Sequence, residues 1–167
     1  SPLQLLGSQN DMATIRLIVK HPDASAAIAI NDEKKILLVK QWREPIKQLT
    51  LEIPAGLIDE TDASPLDAMK RELNEEGGYK AEYWEKVSEF YTSVGFCDEK
   101  IHLFYCDTLS KIENKRPLDE DEFLTQEWYS LPELKQLIAS GEIMDAKTVM
   151  AITFWENMIL TGNQSND

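Results

Sequence analysis

Three glutamates at helical spacing, Glu72, Glu75 and Glu76, are the residues whose types and positions best suit chemistry. At about 100° per residue, positions i, i+3 and i+4 project from the same side of a helix. Three carboxylates on one side repel each other unless a cation lies among them. Such a set suits a hard cation with oxygen ligands, Mg²⁺ or Mn²⁺, rather than Zn²⁺. The alternative is an ordinary solvated acidic face.

The helix that must position these carboxylates has recognisable ends in the sequence. Ser64 is a typical N-cap residue, and Pro65 suits the first helical position. The pair Gly77-Gly78 predicts the C-terminal end. An apolar stripe beside the carboxylates is expected to pack on a sheet, and it consists of Leu66, Met69 and Leu73. The carboxylates therefore lie along the edge of the packed face.

Strand patterns precede and follow this helix. Strands are expected at about 25–30, 35–42, 49–56, 80–92, 100–107 and 123–129, with two short ones within 1–20 and further helices at about 131–140 and 145–160. Asn31-Asp32 predicts a hairpin between the strands on either side of it. Leu49, Leu51 and Ile53 are expected to face inward. Strands on both sides of a central helix predict an α/β fold with a mixed sheet between helical layers.

Length, charge and cysteine usage narrow the class of protein. A chain of 167 residues fits one domain with a full core. A net charge of −13 argues against nucleic acid and anionic membranes as partners, because both would be repelled. Cys97 and Cys106 lack a zinc-type spacing and are expected to be free thiols. No apolar run approaches the ~18 residues of a membrane span. We expect a cytoplasmic protein.

Residues 71–79, RELNEEGGY, resemble the second half of the Nudix box, with a tyrosine in the last aliphatic place. The first half begins at Gly56. Its loop is one residue longer than the family pattern, and Asp62 or Ala63 replaces the first glutamate of the box. The resemblance implies a Nudix fold, an α/β/α sandwich around a mixed β-sheet with an N-terminal antiparallel strand region.

The resemblance also implies boundaries and an assembly. The N-terminal strands occupy 1–20, the Nudix hydrolase domain 21–162 and a polar tail 163–167. Relatives form homodimers through their N-terminal strands. We therefore expect a homodimer through residues 1–20 and the apolar region around Trp155.

The box residues take metal-binding roles by resemblance. Mg²⁺, which Mn²⁺ can replace, would be held by the carbonyl of Ala55 and by Glu72, Glu75 and Glu76. Arg71 would act in catalysis by holding a carboxylate in one rotamer. Its alternative role is a structural ion pair with a carboxylate one turn away.

Further segments look like ADP-ribose pyrophosphatases and their nucleotide-sugar relatives, among them LLVKQWREP, LEIPAGLID, YTSVGFCDEK and GEIMDAKTVMAITFW. This implies hydrolysis of ADP-ribose to AMP and ribose 5-phosphate, or of GDP-mannose or another nucleotide sugar. Val94 stands where the subfamily carries a proline, which leaves the substrate open. A catalytically silent Nudix domain that senses such a ligand is the rival interpretation.

Substrate contacts and the general base also follow from the resemblance. Substrate-binding roles fall on Arg16, Arg43, Glu52, Gly95 and Glu99, although Arg43 and Glu52 are also compatible with ordinary strand-end charges. The base is expected within LDEDEF, residues 118–123, at Glu120 or Glu122, with Glu120 favoured. A solvated acidic turn is the alternative for this segment.

Overall fold

The computed structural model describes residues 4–6, 14–113 and 125–162. The strands are β1 (Gln4–Leu6), β2 (Thr14–Arg16), β3 (Ala24–Ala29), β4 (Ile36–Arg43), β5 (Gln48–Glu52), β6 (Ala55–Leu57), β7 (Tyr79–Tyr91), β8 (Lys100–Lys111) and β9 (Thr125–Tyr129). The α-helices are α1 (Pro65–Glu72), α2 (Leu131–Ser140) and α3 (Ala146–Leu160). A 3₁₀ turn covers Glu44–Ile46, and a π-helical turn, Leu73–Gly77, follows α1.

The strands form a mixed sheet and two antiparallel ones. The mixed sheet has the order β6-β3-β8-β7, in which β3 runs parallel to β8 and antiparallel to β6. A second sheet has the order β5-β4-β9. Strands β1 and β2 pair with each other in a third. The predicted α/β class with a mixed sheet is confirmed.

Strand β3 lies between two apolar cores. Its successive side chains point to opposite faces of the sheet, so that Ala27 packs in one core with Met69 of α1 and Ile28 packs in the other with Ile152 of α3. Burial of a side chain as large as Met69 stabilises the fold by about 1.5–3 kcal/mol relative to exposure. Helices therefore cover both faces of the mixed sheet. The predicted apolar stripe of the central helix is confirmed, since Met69 and Leu73 are fully buried.

The predicted hairpin between β3 and β4 was wrong. Asn31 does form a turn, in which its Oδ1 accepts hydrogen bonds from the N–H groups of Glu33 and Lys35. The strands, however, meet only at a bridge between Ile30 and Ile36. They then diverge into different sheets, because each finds its ladder partners elsewhere.

Strand β5 was predicted with the wrong inward face at its start. Leu49 is 55% exposed, whereas Thr50 and Glu52 are buried. The face that carries Thr50 and Glu52 is buried although it is polar, because the Glu52 carboxylate finds several donors inside the protein. Inward packing of Leu51 and Ile53 is confirmed.

The central helix begins and ends where predicted, but its last turn is π-helical. The Ser64 hydroxyl accepts the N–H of Asp67 at 3.1 Å, as an N-cap does. The α-helical hydrogen-bond pattern stops at Glu72, and a π-helical turn leads to Gly78. Gly78 has φ 74°, the left-handed conformation that glycine adopts readily at a helix end.

No helix in the described part of the chain is long and apolar enough to cross a membrane.

Candidate functional site

The carboxyl group of Glu72 lies against the backbone of β6. Glu72 is 9% exposed. A Cβ atom at Gly56 would stand 2.5 Å from Glu72 Cγ and would overlap the carboxyl carbon. Only glycine leaves room for the glutamate side chain at this point. Strand β6 and the end of α1 thus meet at this point.

Half of the Glu72 carboxylate has a partner inside the protein. Its Oε1 accepts a hydrogen bond from Arg71 Nη1 at 3.0 Å, but its buried Oε2 has no hydrogen-bond partner among the described residues. Burial raises the pKa of Glu72, and the charge of Arg71 opposes that rise. Leaving a buried carboxylate oxygen without a partner is costly. A bound cation would remove that cost.

Asp62 and Arg71 form a two-point ion pair beside Glu72. Arg71 donates from Nε to Asp62 Oδ1 at 2.9 Å and from Nη2 to Oδ2 at 2.8 Å. The Arg71 guanidinium holds the pKa of Asp62 at about 2, and the N–H of Asp59 contributes. Of the two residues that could stand in place of the first glutamate of the box, Asp62 is therefore the one that contacts the box arginine, Arg71. Arg71 connects Asp62 to Glu72 as a positioning group.

The other two box glutamates lie on the π-helical turn. Arg71 Nη1 is 3.7 Å from Glu75 Oε2. The Glu76 carboxyl group is close enough to Glu72 to affect its pKa. Among the described residues, no three His, Cys, Asp or Glu side chains already converge as a complete metal site. Like-charged carboxylates repel one another, and a cation bound among them would offset that repulsion.

The donor chemistry of this region fits a hard divalent cation. Oxygen atoms supply every candidate ligand, the buried Oε2 of Glu72 needs a positive partner, and Gly56 leaves the backbone bare beside it. The Ala55 carbonyl belongs to the residue before Gly56, in β6. These residues fit the metal that the family resemblance implies.

Gln126 hydrogen-bonds to the π-helical turn, and no pattern in the sequence predicts this contact. Its Nε2 donates to the carbonyl of Gly77 at 2.5 Å and lies 3.4 Å from that of Glu76. The side chain comes from β9, in a different sheet. It occupies backbone carbonyls that the end of a helix leaves unpaired.

Arg43 and Glu52 are brought together at the ends of β4 and β5. Arg43 donates from Nε to Glu52 Oε2 at 2.7 Å and from Nη2 to Oε1 at 2.6 Å. The Glu52 side chain is 2% exposed, whereas that of Arg43 is 43% exposed. Arg43 is therefore the member of the pair that can meet a ligand. The hydrogen bond to Glu52 raises the pKa of Arg43.

Three residues at the start of α3 complete this network. Lys147 Nζ donates to Glu52 Oε1 at 2.5 Å and to Asp145 Oδ2 at 3.0 Å. Asp145 is the N-cap of α3 and also accepts the Thr148 hydroxyl at 2.6 Å. Burial alone would raise the pKa of Glu52, but Arg43, Lys147 and Thr50 outweigh burial and hold it at about 2. From the sequence, we did not predict that residues of the segment DAKT, 145–148, contribute to this network.

The loop between β7 and β8 contains two further expected substrate contacts, Gly95 and Glu99. Glu99 accepts the Thr92 hydroxyl at 2.9 Å and lies 2.9 Å from His21 Nδ1. Gly95 is exposed, and Val94 is 80% exposed. Glu99 also contributes electrostatically to the raised pKa of Arg43, so the loop lies within electrostatic range of the Arg43 pair.

The remaining expected site residues are Arg16, Glu120 and Glu122. Arg16 is exposed on β2 and has no side-chain hydrogen bond or ion pair within the described ranges. The proposed bases Glu120 and Glu122 lie outside the described residues, so their roles remain predictions from the sequence.

Comparison with known proteins accords with this arrangement. The chain is 46% identical over 145 residues to an ADP-ribose pyrophosphatase of Bacillus subtilis (strain 168), covering 87% of this chain and 78% of that protein. It is 44% identical over 145 residues to a methanol dehydrogenase activator of Bacillus methanolicus, with the same coverage.

The fold has a solved counterpart. A crystal structure of an ADP compounds hydrolase superposes with a TM-score of 0.81 at 21% identity, over 97% of this chain and 87% of that one. The family model for the NUDIX domain matches residues 20–150, which include both the Gly56–Glu72 contact and the Arg43–Glu52 pair. Because this match spans most of the chain, the protein belongs to the NUDIX domain family.

Proposed function

We propose that this protein hydrolyses the diphosphate bond of ADP-ribose, or of a related nucleoside diphosphate sugar, to a nucleoside monophosphate and a sugar phosphate. The observation that carries the proposal is the Glu72 carboxylate, buried against Gly56 with one oxygen unpaired, on the turn that also bears Glu75 and Glu76. The name and 46% identity of the Bacillus subtilis relative support the substrate class. GDP-mannose or another nucleotide sugar is the alternative.

The cation would be Mg²⁺, with Mn²⁺ as a substitute. Glu72, Glu75, Glu76 and the carbonyl of Ala55 would hold it. When bound, it would neutralise charge on the phosphoryl groups and align the attacking water.

The protein's own residues have separable tasks in this reaction. Arg71, fixed by Asp62, keeps the Glu72 carboxylate in place. Arg43 presents a partly exposed guanidinium that suits a phosphate, since its planar fork binds oxyanions at two points. The proton of the attacking water would pass to Glu120 or Glu122.

A substrate panel tests the proposal. ADP-ribose, GDP-mannose and other nucleoside diphosphate sugars are incubated with Mg²⁺, and products are identified by chromatography. We expect a nucleoside monophosphate and a sugar phosphate, with no turnover in excess chelator. Glu76→Gln keeps the side-chain size but removes its charge, and it should lower kcat at least ~10²-fold. Binding of ADP-ribose without any product would favour the ligand-sensing interpretation instead.

A second candidate function comes from the Bacillus methanolicus relative, which is named as an activator of a dehydrogenase. Addition of this protein to a methanol dehydrogenase assay tests it. Activation by the parent and equally by Glu76→Gln would indicate a role that needs no hydrolysis.

We further propose a homodimer formed through the N-terminal strands. The apolar side chains of Ile15 and Leu17 are exposed, and within the described ranges β1 and β2 join neither of the other sheets. The side chain of Trp155 itself is 3% exposed and packs from α3 into the core, so we do not include it in the proposed interface. Light scattering of Ile15→Asp should show a monomer if this surface forms the interface.

We also propose a cytoplasmic location. Cys97 and Cys106 form no disulfide, which suits the reducing cytoplasm.

A further inference from the structure

Lys147 occupies a position that general rules disfavour for a lysine. It lies in the first turn of α3, where the helix dipole repels positive charge, and it is buried. A buried ammonium group is costly unless it is paired and hydrogen-bonded. Glu52 and Asp145 supply those partners at 2.5 and 3.0 Å. The role of Lys147 is therefore to be sought in the groups that its two partners, Glu52 and Asp145, contact in turn.

The contacts of Lys147 converge on an oxygen that Arg43 also uses. Glu52 Oε1 accepts from both Lys147 Nζ and Arg43 Nη2, while Oε2 accepts from Arg43 Nε and the Thr50 hydroxyl. A carboxylate has about four acceptor positions, so that of Glu52 is fully used. It cannot rotate without breaking at least one charged hydrogen bond. The orientation of Arg43 is thereby tied to the start of α3.

We propose that Lys147 is a positioning residue, which through Glu52 fixes the plane of the Arg43 guanidinium for the anionic diphosphate of the substrate. This inference rests on the proposed function, because the contact between Arg43 and substrate is part of it. Lys147 itself is buried and does not touch the ligand.

Charge balance gives Lys147 a second effect on the same arginine. Glu52 alone would neutralise Arg43 and weaken its attraction for a phosphate. With Lys147 present, the charges of Arg43, Lys147, Glu52 and Asp145 sum to zero. Without Lys147 the other three would sum to −1, which would disfavour an anion beside Arg43. Lys147 thus leaves Arg43 able to attract an anion from solvent.

A double-mutant cycle between Lys147 and Arg43 tests the inference. Lys147→Met keeps most of the length of the unbranched side chain and removes the charge. We expect KM for the nucleoside diphosphate sugar to rise about tenfold, with kcat within about threefold of the parent. Lys147→Arg should recover most of the loss. In an Arg43→Ala background, Lys147→Met should add little, because both changes remove the same contact.

Additive effects in the cycle, or an unchanged KM in Lys147→Met, would overturn the inference. Thermal unfolding of each variant identifies any loss of fold. Lys135→Met is the matched control, since Lys135 forms an exposed ion pair with Glu156 on the helices away from Arg43. It should leave KM unchanged.

A readout without turnover separates this inference from the proposed function. In ¹⁵N-labelled protein, the Nε–H signal of Arg43 is assigned by its loss in Arg43→Ala. It should shift and broaden in Lys147→Met but not in Lys135→Met, and an unmoved signal would overturn the inference. If the parent hydrolyses no nucleoside diphosphate sugar, the proposed function fails while this signal still decides the positioning role.

Discussion

Gly56 and Glu72 are in contact although they belong to different elements, and the contact leaves no room for a Cβ atom at position 56. The glutamate carboxyl group occupies the space that a side chain would take. Backbone and carboxylate therefore depend on each other for their positions.

Replacement of Gly56 by alanine should displace the Glu72 carboxyl group. We expect Gly56→Ala to lower kcat at least about tenfold and to weaken Mn²⁺ binding, because precise ligand placement is lost. Steady-state kinetics and Mn²⁺ titration measure both effects. Thr61→Ala, an exposed change in the following loop, is the control. Parental kinetics in Gly56→Ala would show that Glu72 tolerates another position.

Asp62 should matter through Arg71. Asp62→Asn removes the charge that fixes Arg71 but keeps the shape of the side chain. We expect metal affinity or kcat to fall about 10–100-fold, the range for residues that orient ligands. Asp59→Asn is the control for lost negative charge, since Asp59 contributes a backbone N–H rather than its side chain to the pair. Equal effects of the two substitutions would assign the loss to general electrostatics.

The local parts of this site were predictable from the sequence. The helix start at Ser64, the apolar stripe and the glutamate spacing depend on residues within a few turns of one another. Spacing on an ideal α-helix did not predict the π-helical turn. That turn depends partly on Gln126, which reaches the Gly77 carbonyl from 49 residues away.

The buried polar network was not predictable because its parts meet only after the sheets form. Glu52 and Lys147 are 95 residues apart in the chain. An alternating strand pattern also assigns Thr50 and Glu52 to the solvent face, because the pattern contains no information about hydrogen-bond donors on other elements. The same limitation explains the wrong hairpin, because β3 pairs with β8 and β4 pairs with β9, and both partners come from distant segments.

Glu52 should make stability depend on acidity in a defined direction. Its pKa of about 2 in the folded protein lies below the ordinary value of 4.5. The stabilisation is therefore fully present above about pH 4.5 and is lost as pH falls toward 2. Glu52→Gln should lower the free energy of unfolding at pH 7 by up to ~3–5 kcal/mol, because it leaves Lys147 without its main partner. Urea unfolding from about pH 7 to about pH 3 should show this difference shrinking.

The control for that experiment is a glutamate whose ion pair is exposed. Glu33 lies 3.5 Å from Lys35, and its side chain is open to solvent. Glu33→Gln should change the free energy of unfolding little at any pH. A constant difference between the parent and Glu52→Gln across the range would contradict the assigned pKa.

Metal ligands and the general base should separate by their effects on metal affinity. A base must reach the attacking water and need not touch the cation. Replacement of the true base by glutamine should therefore lower kcat strongly and change Mn²⁺ affinity little. Replacement of Glu72 or Glu76 should damage both. We expect the base behaviour for Glu120→Gln rather than Glu122→Gln, because counting back from the final helix places Glu120 on the family's base position.

Asp121→Asn provides the matched control within the same acidic segment, since it removes an equal charge between the two candidates. A loss of kcat confined to Glu120→Gln would identify a specific proton acceptor. Equal small losses in all three variants would indicate only that the negative electrostatic potential of the segment had been reduced. Near-parental kcat in both glutamine variants would exclude this segment from catalysis. Glu52 and Glu99 would then be the next candidates, and Glu99 is the more accessible of the two, since its side chain is 22% exposed whereas that of Glu52 is 2% exposed.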